Sequence, residues 1–426
     1  MRILVVSNLY PPFTRGGYEA ECAAVSEHLG RHHQVTVLTC RRQRGLAAGD
    51  EQNVRRQLPL LEYRFVHSLR APAWTVQAAS AMRRALAEVD PALVFIWNGA
   101  QLPQAALRIA LDSGRPVAFR VCELWFGRMF TGDQFMRHLL PGDTGVRAVW
   151  ARGMRAINLH PGLRLDPGRR VPAAISWNSD TVRRLAGVPP AVDPVFERIV
   201  HSTSPNAAAF AAVKRTPARD RVEIAFVGRV DAAKGAEVAA RALRPLRERH
   251  GIDAVLRLVG PADQAVRARI DALRERVEVL GPLPPSGVAE VLAAAHALVV
   301  PSTVPDAFPL VCIEGALARV PIVASRTGGI PECVHDEVHA LLIPPADPDA
   351  LAAALARTLN EGLDTAERVA RARARAEDFA LPRYLEASER FVEDAVAALA
   401  RGPASARAPG CAGPGPPTGA TARWTA

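Results

Sequence analysis

The chain has 426 residues, 49% hydrophobic and 23% charged, so it is globular rather than disordered and long enough for two domains of ordinary size. Its formal net charge of +10 favours anionic partners, but only two of the 53 basic residues are lysines, which indicates a general arginine-rich bias. No apolar stretch is long enough to span a bilayer, and few aromatic residues accompany the arginines, which argues against nucleic-acid binding.

The six cysteines are scattered, with no Cys-x-x-Cys pair and no histidine cluster at ligand spacing. This distribution is typical of a reducing cytosol, and we expect no metal site. The N-terminal segment Met1–Ser7 has too short an apolar core for a signal peptide, and Asn8 and Pro11 interrupt it. We therefore predict that it forms a first buried strand.

Short apolar runs alternate with helical patterns through the first half of the chain. The predicted strands there are Ile3–Ser7, Val35–Thr39, Glu62–Val66, Ala92–Trp97, Pro116–Val121 and Ala173–Trp177. The predicted helices lie near Tyr18–Leu29, Thr75–Glu88 and Pro103–Asp112, with a more helical stretch from about Trp125 to His160. Continuous apolar strands separated by amphipathic helices predict a parallel sheet covered on both faces.

After a loose segment from about Ser202 to Asp220, the alternation restarts. The predicted strands there are Val222–Gly228, Ala254–Gly260, Arg276–Gly281, Leu298–Pro301, Pro321–Ser325 and His339–Ile343. Helices are predicted to begin at Lys234, Asp263, Ser286, Pro309 and Pro348, and a last helix covers Pro382–Ala400. Two such systems predict an α/β fold with two doubly wound, Rossmann-like domains that face each other across a cleft.

The domain bounds follow from this alternation. We predict an N-terminal domain, a linker, a second domain, a C-terminal helix and a disordered tail rich in Pro, Gly, Ala and Thr. Whether the C-terminal helix packs back on the N-terminal domain stays open. Their ranges are 1–200, 201–220, 221–380, 381–400 and 401–426. Ligands of such sheets bind at the carboxyl ends of the strands, so a nucleotide and a second substrate are expected in the cleft.

One of the two lysines, Lys234, lies in the segment Phe226–Gly235, which also contains Arg229. Lysine is a compact point charge and arginine a planar fork, and backbone N–H groups at a helix start favour anions. Arg229 can therefore bind two phosphate oxygens in a bidentate manner, while Lys234 binds a third. The segment predicts a grip on a phosphorylated ligand; the alternative is a chance lysine on a solvated helix start.

Two carboxylates, Asp306 and Glu314, bracket the start of the helix predicted from Pro309. Carboxylates in nucleotide sites accept hydrogen bonds from ribose or sugar hydroxyls. The alternative is a helix-capping Asp306 and an exposed Glu314. The glycine pairs Gly328-Gly329 and Gly16-Gly17 each follow a strand, where they let the backbone approach a ligand closely unless they form plain loops.

Together, and in this order, these features resemble the retaining glycosyltransferases of the GT-B fold, and among them family 4 (glycosyl transferases group 1). That family's pattern has Gly-Arg at a strand end, then Lys-Gly, Pro-Ser, Glu-x7-Glu and Gly-Gly-x-Pro-Glu. The chain follows this order from Phe226 to Glu332, with Asp306 in place of the first glutamate. The resemblance also includes the N-terminal Gly-Gly loop, Cys122–Trp125 and Trp177–Ser179, and spans about residues 1–400.

The resemblance implies a cytoplasmic, metal-independent hexosyltransferase without a cofactor. It would move a hexose, with retention, from a nucleoside-diphosphate sugar (a UDP-sugar by default) to a hydroxyl of a polysaccharide, lipid or small metabolite. Contact with the inner face of the membrane stays open and has no support in the sequence, and no nucleic-acid partner is expected.

The resemblance also implies roles for individual residues. Arg229 and Lys234 should hold the donor's diphosphate, and Asp306 should lie by the transferred sugar, which makes these three the expected catalytic residues. Glu314 should accept from the ribose hydroxyls. The remaining expected donor contacts are Gly16, Gly17, Phe308, Leu310, Val311, Gly328 and Gly329. On the acceptor side the expected residues are Cys122, Glu123 and Trp125.

Three positions depart from the family pattern. Asp306 replaces a glutamate and its side chain is roughly 1.5 Å shorter, so the identity of the donor sugar is left open. Cys122 stands where histidine is frequent, and cysteine does not titrate as imidazole does. Arg319 stands where glycine is usual, and a left-handed arginine there costs roughly 1–2 kcal/mol unless the helix ends differently. A binding or scaffold protein without transferase activity therefore stays open, as does a nucleotide-sugar epimerase on the same fold.

Overall fold

The computed structural model describes residues 1–14, 16–41, 53–61, 65–133, 135–160 and 163–401. For residues 65–69 it describes only the backbone. The chain forms two units, each built on a parallel sheet, which we call the N unit and the C unit. The strands of the N unit are β1 (Arg2–Ser7), β2 (Gln34–Cys40), β3 (Val54–Leu58), β4 (Leu93–Asn98), β5 (Val117–Val121), β6 (Val171–Trp177) and β7 (Val192–Ile199). Its helices are α1 (Gly17–Leu29), α2 (Phe65–Val89), α3 (Ala105–Asp112), α4 (Val146–Asn158) and α5 (Asp180–Ala186).

The C unit follows a short connection after β7. Its strands are β8 (Val222–Val227), β9 (Ala254–Val259), β10 (Val277–Gly281), β11 (Ala297–Val300), β12 (Ile322–Ser325) and β13 (Leu341–Ile343). The helices of this part of the chain are α6 (Ala207–Ala212), α7 (Ala236–His250), α8 (Gln264–Ala272), α9 (Pro285–Ala294), α10 (Leu310–Leu317), α11 (Ile330–Cys333), α12 (Pro348–Asn360), α13 (Gly362–Ala376) and the terminal α14 (Leu381–Arg401).

Both sheets have the same strand order around their first strand. The order is β3-β2-β1-β4-β5-β6-β7 in the N unit and β10-β9-β8-β11-β12-β13 in the C unit, and every pair is parallel. The first six strands in each case follow the doubly wound order 3-2-1-4-5-6. The prediction of two Rossmann-like domains is therefore confirmed.

The strands near the middle of each sheet are apolar because helices cover both faces. In β1 the alternate residues Leu4 and Val6 join one buried cluster and Ile3 and Val5 join another, and all four are at most 1% exposed. Helices α2 and α3 supply the first cluster, while α1 and α14 supply the second. Such two-sided burial explains the continuous apolar runs in the sequence.

The terminal helix α14 returns to the N unit. Its Phe391 lies 6.0 Å from the ring of Phe95 on β4, and Glu389 pairs with His28 of α1 at 2.9 Å. The chain therefore crosses between the two units twice, before α6 and again before α14.

The predicted strand Glu62–Val66 is wrong. Residues 62–64 lie outside the described residues, and Phe65 begins α2, which starts ten residues before the predicted Thr75. The third strand is instead Val54–Leu58, at the sheet edge, where partial exposure permits the polar sequence Val-Arg-Arg-Gln-Leu. The other edge strand, β7, was not predicted for the same reason.

Some other expectations also need correction. The segment from Ser202 to Asp220 contains the short helix α6, and α13 had no counterpart in the prediction. Residues 402–426 of the predicted tail lie outside the described residues. Among the helices within the described residues, none is long and apolar enough to cross a membrane.

Candidate active site

The expected charges meet at the carboxyl edge of the C-unit sheet. In a doubly wound sheet, the strand order reverses between the first and fourth strands, and the loops after these strands diverge to leave a crevice. Here those strands are β8 and β11, which are adjacent. Lys234 lies in the loop after β8, and Asp306 lies in the loop after β11.

Lys234 and Asp306 form an ion pair, with 2.5 Å between Nζ and Oδ2. Ser302 Oγ donates to the same carboxylate oxygen at 3.2 Å. The Asp306 side chain is only 10% exposed and that of Lys234 is 32% exposed. Lys234 is therefore held by an ion pair at this edge of the sheet and is only partly exposed to solvent.

The loop that carries Lys234 is packed against the loop after β11. The Lys234 backbone N–H donates to Asp231 Oδ1 at 2.8 Å, and the N–H of Thr303 donates to the Ala233 carbonyl at 3.0 Å. Gly235 has a φ of +73°, and a Cβ there would lie 1.9 Å from the Pro301 carbonyl oxygen. Only glycine fits this position, which explains the Lys-Gly pair in physical terms.

Arg229 follows β8 and is the most open of the three expected catalytic residues. Its side chain is 66% exposed, and Nε pairs with Asp231 Oδ2 at 2.9 Å. Asp231 thus contacts both Arg229 and the backbone of Lys234. One carboxylate orients the two cationic residues at the same edge of the sheet.

Glu314 lies in the second turn of α10, where it meets the first crossing between the units. Ser204 Oγ donates to Glu314 Oε1 at 2.9 Å. Burial raises the pKa of Glu314, and the Ser204 hydrogen bond partly offsets this. The alternative of an Asp306 cap with an exposed Glu314 is wrong, because Pro309 precedes α10, no side chain caps it, and Glu314 is partly buried.

The paired glycines Gly328-Gly329 support the loop of Asp306. A Cβ on Gly328, whose φ is +58°, would lie 2.3 Å from the Asp306 nitrogen. A Cβ on Gly329 would lie 2.1 Å from the Ala307 carbonyl oxygen, and the Gly329 N–H donates to the Asp306 carbonyl at 2.6 Å. The close approach that these glycines permit is therefore to the backbone that carries Asp306.

The other expected donor contacts lie around the start of α10. Phe308 is 6% exposed and stacks on His201 at 5.1 Å, with Phe379 edge-on at 5.3 Å. Val311 is partly buried against the C-unit core. The structure therefore places Phe308 in an aromatic cluster at the junction of the units.

The N-terminal glycine pair faces α10 from the other unit. A Cβ on Gly17 would lie 2.5 Å from Leu310 Cδ1, and the Gly16 N–H donates to Glu19 Oε2 at 3.0 Å. The loop after β1 thus approaches the Asp306 side of the C unit. A larger residue than glycine at position 17 would have to displace Leu310.

The expected acceptor-side residues follow β5. Cys122 is buried, and this burial raises the pKa of its thiol to about 12, so it is neutral near pH 7. The Glu123 side chain keeps access to solvent, but Glu19 of the N unit and Arg229 and Lys234 of the C unit are near enough to act on its charge. Desolvation by the surrounding protein and repulsion from Glu19 raise its pKa, while Arg229 and Lys234 act in the opposite direction. Trp125 lies against Gly99 at the end of β4.

A set of contacts between the units had not been predicted from the sequence. Glu332 of α11 accepts the N–H groups of Asp180 and Thr181, both at 2.8 Å, and so caps α5 of the N unit. Ser179 Oγ donates to the Ala307 carbonyl at 2.7 Å. The run Ser179-Asp180-Thr181 is a helix-start signal, but its partner 152 residues away is not visible in the sequence.

Comparisons with known proteins agree with this geometry. Residues 221–361 match the family model for glycosyl transferases group 1. Over 157 residues, the chain is 33% identical to the D-inositol 3-phosphate glycosyltransferase of Acidothermus cellulolyticus, covering 34% of this chain and 35% of that protein. The enzyme of the same name from Corynebacterium kroppenstedtii is 34% identical over 143 residues, which cover 31% of this chain and 31% of that protein. The chain thus spans about a third of the length of these relatives.

Solved structures extend the likeness to both units. Sucrose-phosphate synthase from Thermosynechococcus elongatus superposes with a TM-score of 0.67 at 19% identity, covering 93% of this chain and 99% of that one. Anabaena HepE in complex with UDP-glucose gives a TM-score of 0.61 at 17% identity, covering 92% and 99%. The fold is GT-B. Its two doubly wound sheets are those of the GT-B glycosyltransferases, as the sequence predicted.

Proposed function

We propose that this GT-B protein is a retaining glycosyltransferase that moves a hexose from a nucleoside-diphosphate sugar to an acceptor hydroxyl. The observation that carries the proposal is the Lys234–Asp306 pair, with Arg229 beside it, at the crevice between β8 and β11. This crevice lies within the segment that matches the group 1 glycosyltransferase family.

The two cations suit a diphosphate. Arg229 can fork two phosphate oxygens with its exposed guanidinium, and Lys234 offers a point charge from a fixed position. Each charge-assisted hydrogen bond of this kind contributes on the order of 1.5–3 kcal/mol. The nucleoside would then extend towards Glu314, whose carboxylate would accept hydrogen bonds from ribose hydroxyls.

The reaction makes one bond and breaks one. The acceptor oxygen bonds to the anomeric carbon as the bond from that carbon to the donor's phosphate oxygen breaks. The acceptor's proton passes to an oxygen of the leaving diphosphate, on the same face of the sugar, and this gives retention. Negative charge grows on the phosphate in the transition state, where Lys234 and Arg229 would stabilise it without a metal.

Asp306 would lie by the transferred sugar and accept from its hydroxyls while keeping Lys234 in place. Uridine is our first choice of base, since HepE, which has the same fold, was solved with UDP-glucose. We place the reaction in the cytosol, because the six cysteines are scattered along the sequence without a Cys-x-x-Cys pair.

The test uses both lysines of the chain. Lys234→Ala should lower donor turnover by roughly 10²–10³-fold, the usual cost of losing one electrostatic transition-state contact. Lys214→Ala removes the same charge from an exposed site outside the crevice and should stay near wild type. The readout is nucleoside-diphosphate release from a panel of nucleotide sugars, with circular dichroism as the check on folding.

The same panel separates the alternatives. Near-normal turnover in Lys234→Ala would refute the proposed role of this residue. Calorimetric binding of UDP, GDP or ADP without turnover, whatever the acceptor, would instead support a binding or scaffold protein. An epimerised nucleotide sugar formed without an acceptor would identify an epimerase.

A further inference from the structure

Helix α4 presents apolar side chains to solvent. Val146, Val149 and Trp150 are spaced i, i+3, i+4 and therefore lie on one side of the helix. They are 78%, 58% and 56% exposed. Leu159, immediately after the helix, is 76% exposed. Val146, Val149 and Trp150 thus form an outward apolar stripe on α4, and Leu159 adds a fourth exposed apolar side chain at the C-terminal end of the helix.

The opposite side of α4 is anchored in the N unit. Ala151 is 1% exposed and Met154 is 6% exposed, and Met154 belongs to the main buried cluster. The helix is thus a fixed part of the fold with its apolar stripe turned outward. Since apolar helix faces are normally buried, the outward side of α4 indicates a binding surface for a second partner.

Within the segment that carries the stripe all charged residues have one sign, and the next carboxylates along the chain are Asp143 and Asp166. Residues 144–165 contain four arginines and no acidic residue. These arginines, all exposed, are Arg147, Arg152, Arg155 and Arg164. The carboxylate that precedes this stretch, Asp143, is already engaged by His138 Nδ1 at 2.8 Å. The surface therefore combines exposed apolar area with a local charge of +4.

This grouping differs from the rest of the described surface. Twelve large apolar side chains are exposed among the described residues, and four of them fall in this 14-residue stretch. Trp150 is the one aromatic residue in that set. Leu363 on α13, by contrast, is isolated along the chain, and single exposed apolar residues are ordinary.

We propose that this face docks on the surface of a lipid bilayer that contains anionic lipids. Tryptophan and branched aliphatic residues can insert at the boundary between headgroups and acyl chains, while arginines bind the lipid phosphates. Pairing two copies of the face around a twofold axis would instead bring eight guanidiniums together with no carboxylate from residues 144–165. The charge therefore favours an anionic lipid surface.

The experiment is co-sedimentation of the full chain with vesicles. Phosphatidylcholine vesicles are compared with vesicles that also contain phosphatidylglycerol. The wild-type chain should bind the anionic vesicles and release them as salt is raised. The double variant Val149→Ser/Trp150→Ser should lower the partition coefficient by about tenfold or more, since two apolar side chains no longer insert.

The arginine variant tests the charge. Arg147→Gln/Arg152→Gln should lower binding to anionic vesicles by roughly fivefold for each arginine removed. Leu363→Ser and Arg274→Gln remove matched exposed side chains from the C unit and should leave binding unchanged. Lys234→Ala should also bind like wild type, which keeps this result separate from the proposed transfer reaction.

Three outcomes would overturn the proposal. The first is a wild-type chain that stays in the supernatant with anionic vesicles. The second is equal binding by the α4 variants and the C-unit controls. The third is a concentration-dependent dimer, seen by light scattering, that Val149→Ser/Trp150→Ser abolishes, because the stripe would then serve a second copy of the chain.

Discussion

The two units share one strand order but use their polar residues in opposite ways. In the C unit, the loops after the first and fourth strands carry charges that stay partly open to the crevice, with Lys234 and Asp306 as the pair. In the N unit, the charged pair is Arg120 and Glu21, which are 3.7 Å apart and 2% exposed. One pair stays partly exposed at the edge of its sheet, where we propose that the donor binds, and the other is sealed in the fold, so topology alone does not assign function.

The buried pair Arg120–Glu21 also makes hydrogen bonds to both segments of chain that connect the two units. Glu21 Oε2 accepts from Tyr384 of α14 at 2.9 Å and from Ser202 of the first crossing at 3.2 Å. Arg120 donates to the Val200 carbonyl at 2.5 Å. We therefore expect this pair to matter for stability and the Lys234 pair to matter for turnover.

The largest stability effect should come from breaking the sealed pair. Above pH 7, where Glu21 is charged, Arg120→Met leaves its carboxylate buried without a cation, which typically costs about 3–5 kcal/mol. Arg198→Met removes a half-exposed arginine that pairs with Asp394 at 2.8 Å and should cost less than about 1 kcal/mol. Urea unfolding of both variants measures the difference in their free energies of unfolding. Equal losses of stability would contradict the expected difference between the buried and the exposed ion pair.

The pH dependence of stability should reveal Glu21. Burial raises the pKa of Glu21 to about 7 against the ordinary 4.5, although Arg120 opposes the shift. Between these values the unfolded chain binds fewer protons at this group than the folded chain does. The contribution of Glu21 is therefore full below pH 4.5 and is lost as pH rises to about 7.

A glutamine isolates this contribution. Relative to Glu21→Gln, the wild-type chain should lose on the order of 3 kcal/mol in free energy of unfolding as pH rises from 4.5 to 7. Unfolding free energies of both proteins across this range give the difference directly. Parallel pH profiles would mean that Glu21 titrates equally in the folded and unfolded chains.

A smaller effect should come from the contact that joins the units. Glu332→Ala removes the cap of α5, and losing a cap costs about 0.5–2 kcal/mol. It should also raise the KM for the donor, since the Ala307 end of the Asp306 loop bonds to the same region of the N unit. Glu367→Ala on the exposed side of α13 is the control. An unchanged KM would show that the crevice does not depend on this contact.

The smallest effect concerns Arg319. Its φ is +58°, so the helix does end in the left-handed conformation and the alternative of a different helix end is wrong. Arg319→Gly should relieve strain of roughly 1–2 kcal/mol and lose part of that to the greater freedom of glycine when unfolded. We expect a net gain below about 1 kcal/mol by thermal unfolding, and a lower melting temperature would contradict the strain argument.

The sequence was informative where one local pattern decides the outcome. Buried strands such as Leu93–Asn98 were predicted because both faces are covered, whereas the edge strands β3 and β7 mix polar and apolar residues and look like loops. Lys234 and Asp306 were predicted as ligand-binding residues, but their direct pairing across 72 positions depends on strand order. The cap that Glu332 provides depends on how the two units pack, which no local pattern encodes.

Because α14 covers one face of the N-unit sheet, the N unit is not a continuous piece of chain. The C unit is in effect an insertion between β7 and α14, so the first 200 residues alone would keep α1 on this face but lose the α14 part of its cover, including the Phe391 ring that packs on Phe95. A chimaera that borrows another donor-binding half should therefore replace the inserted stretch and keep α14 native. In modular terms, the exchangeable part is the middle of the chain.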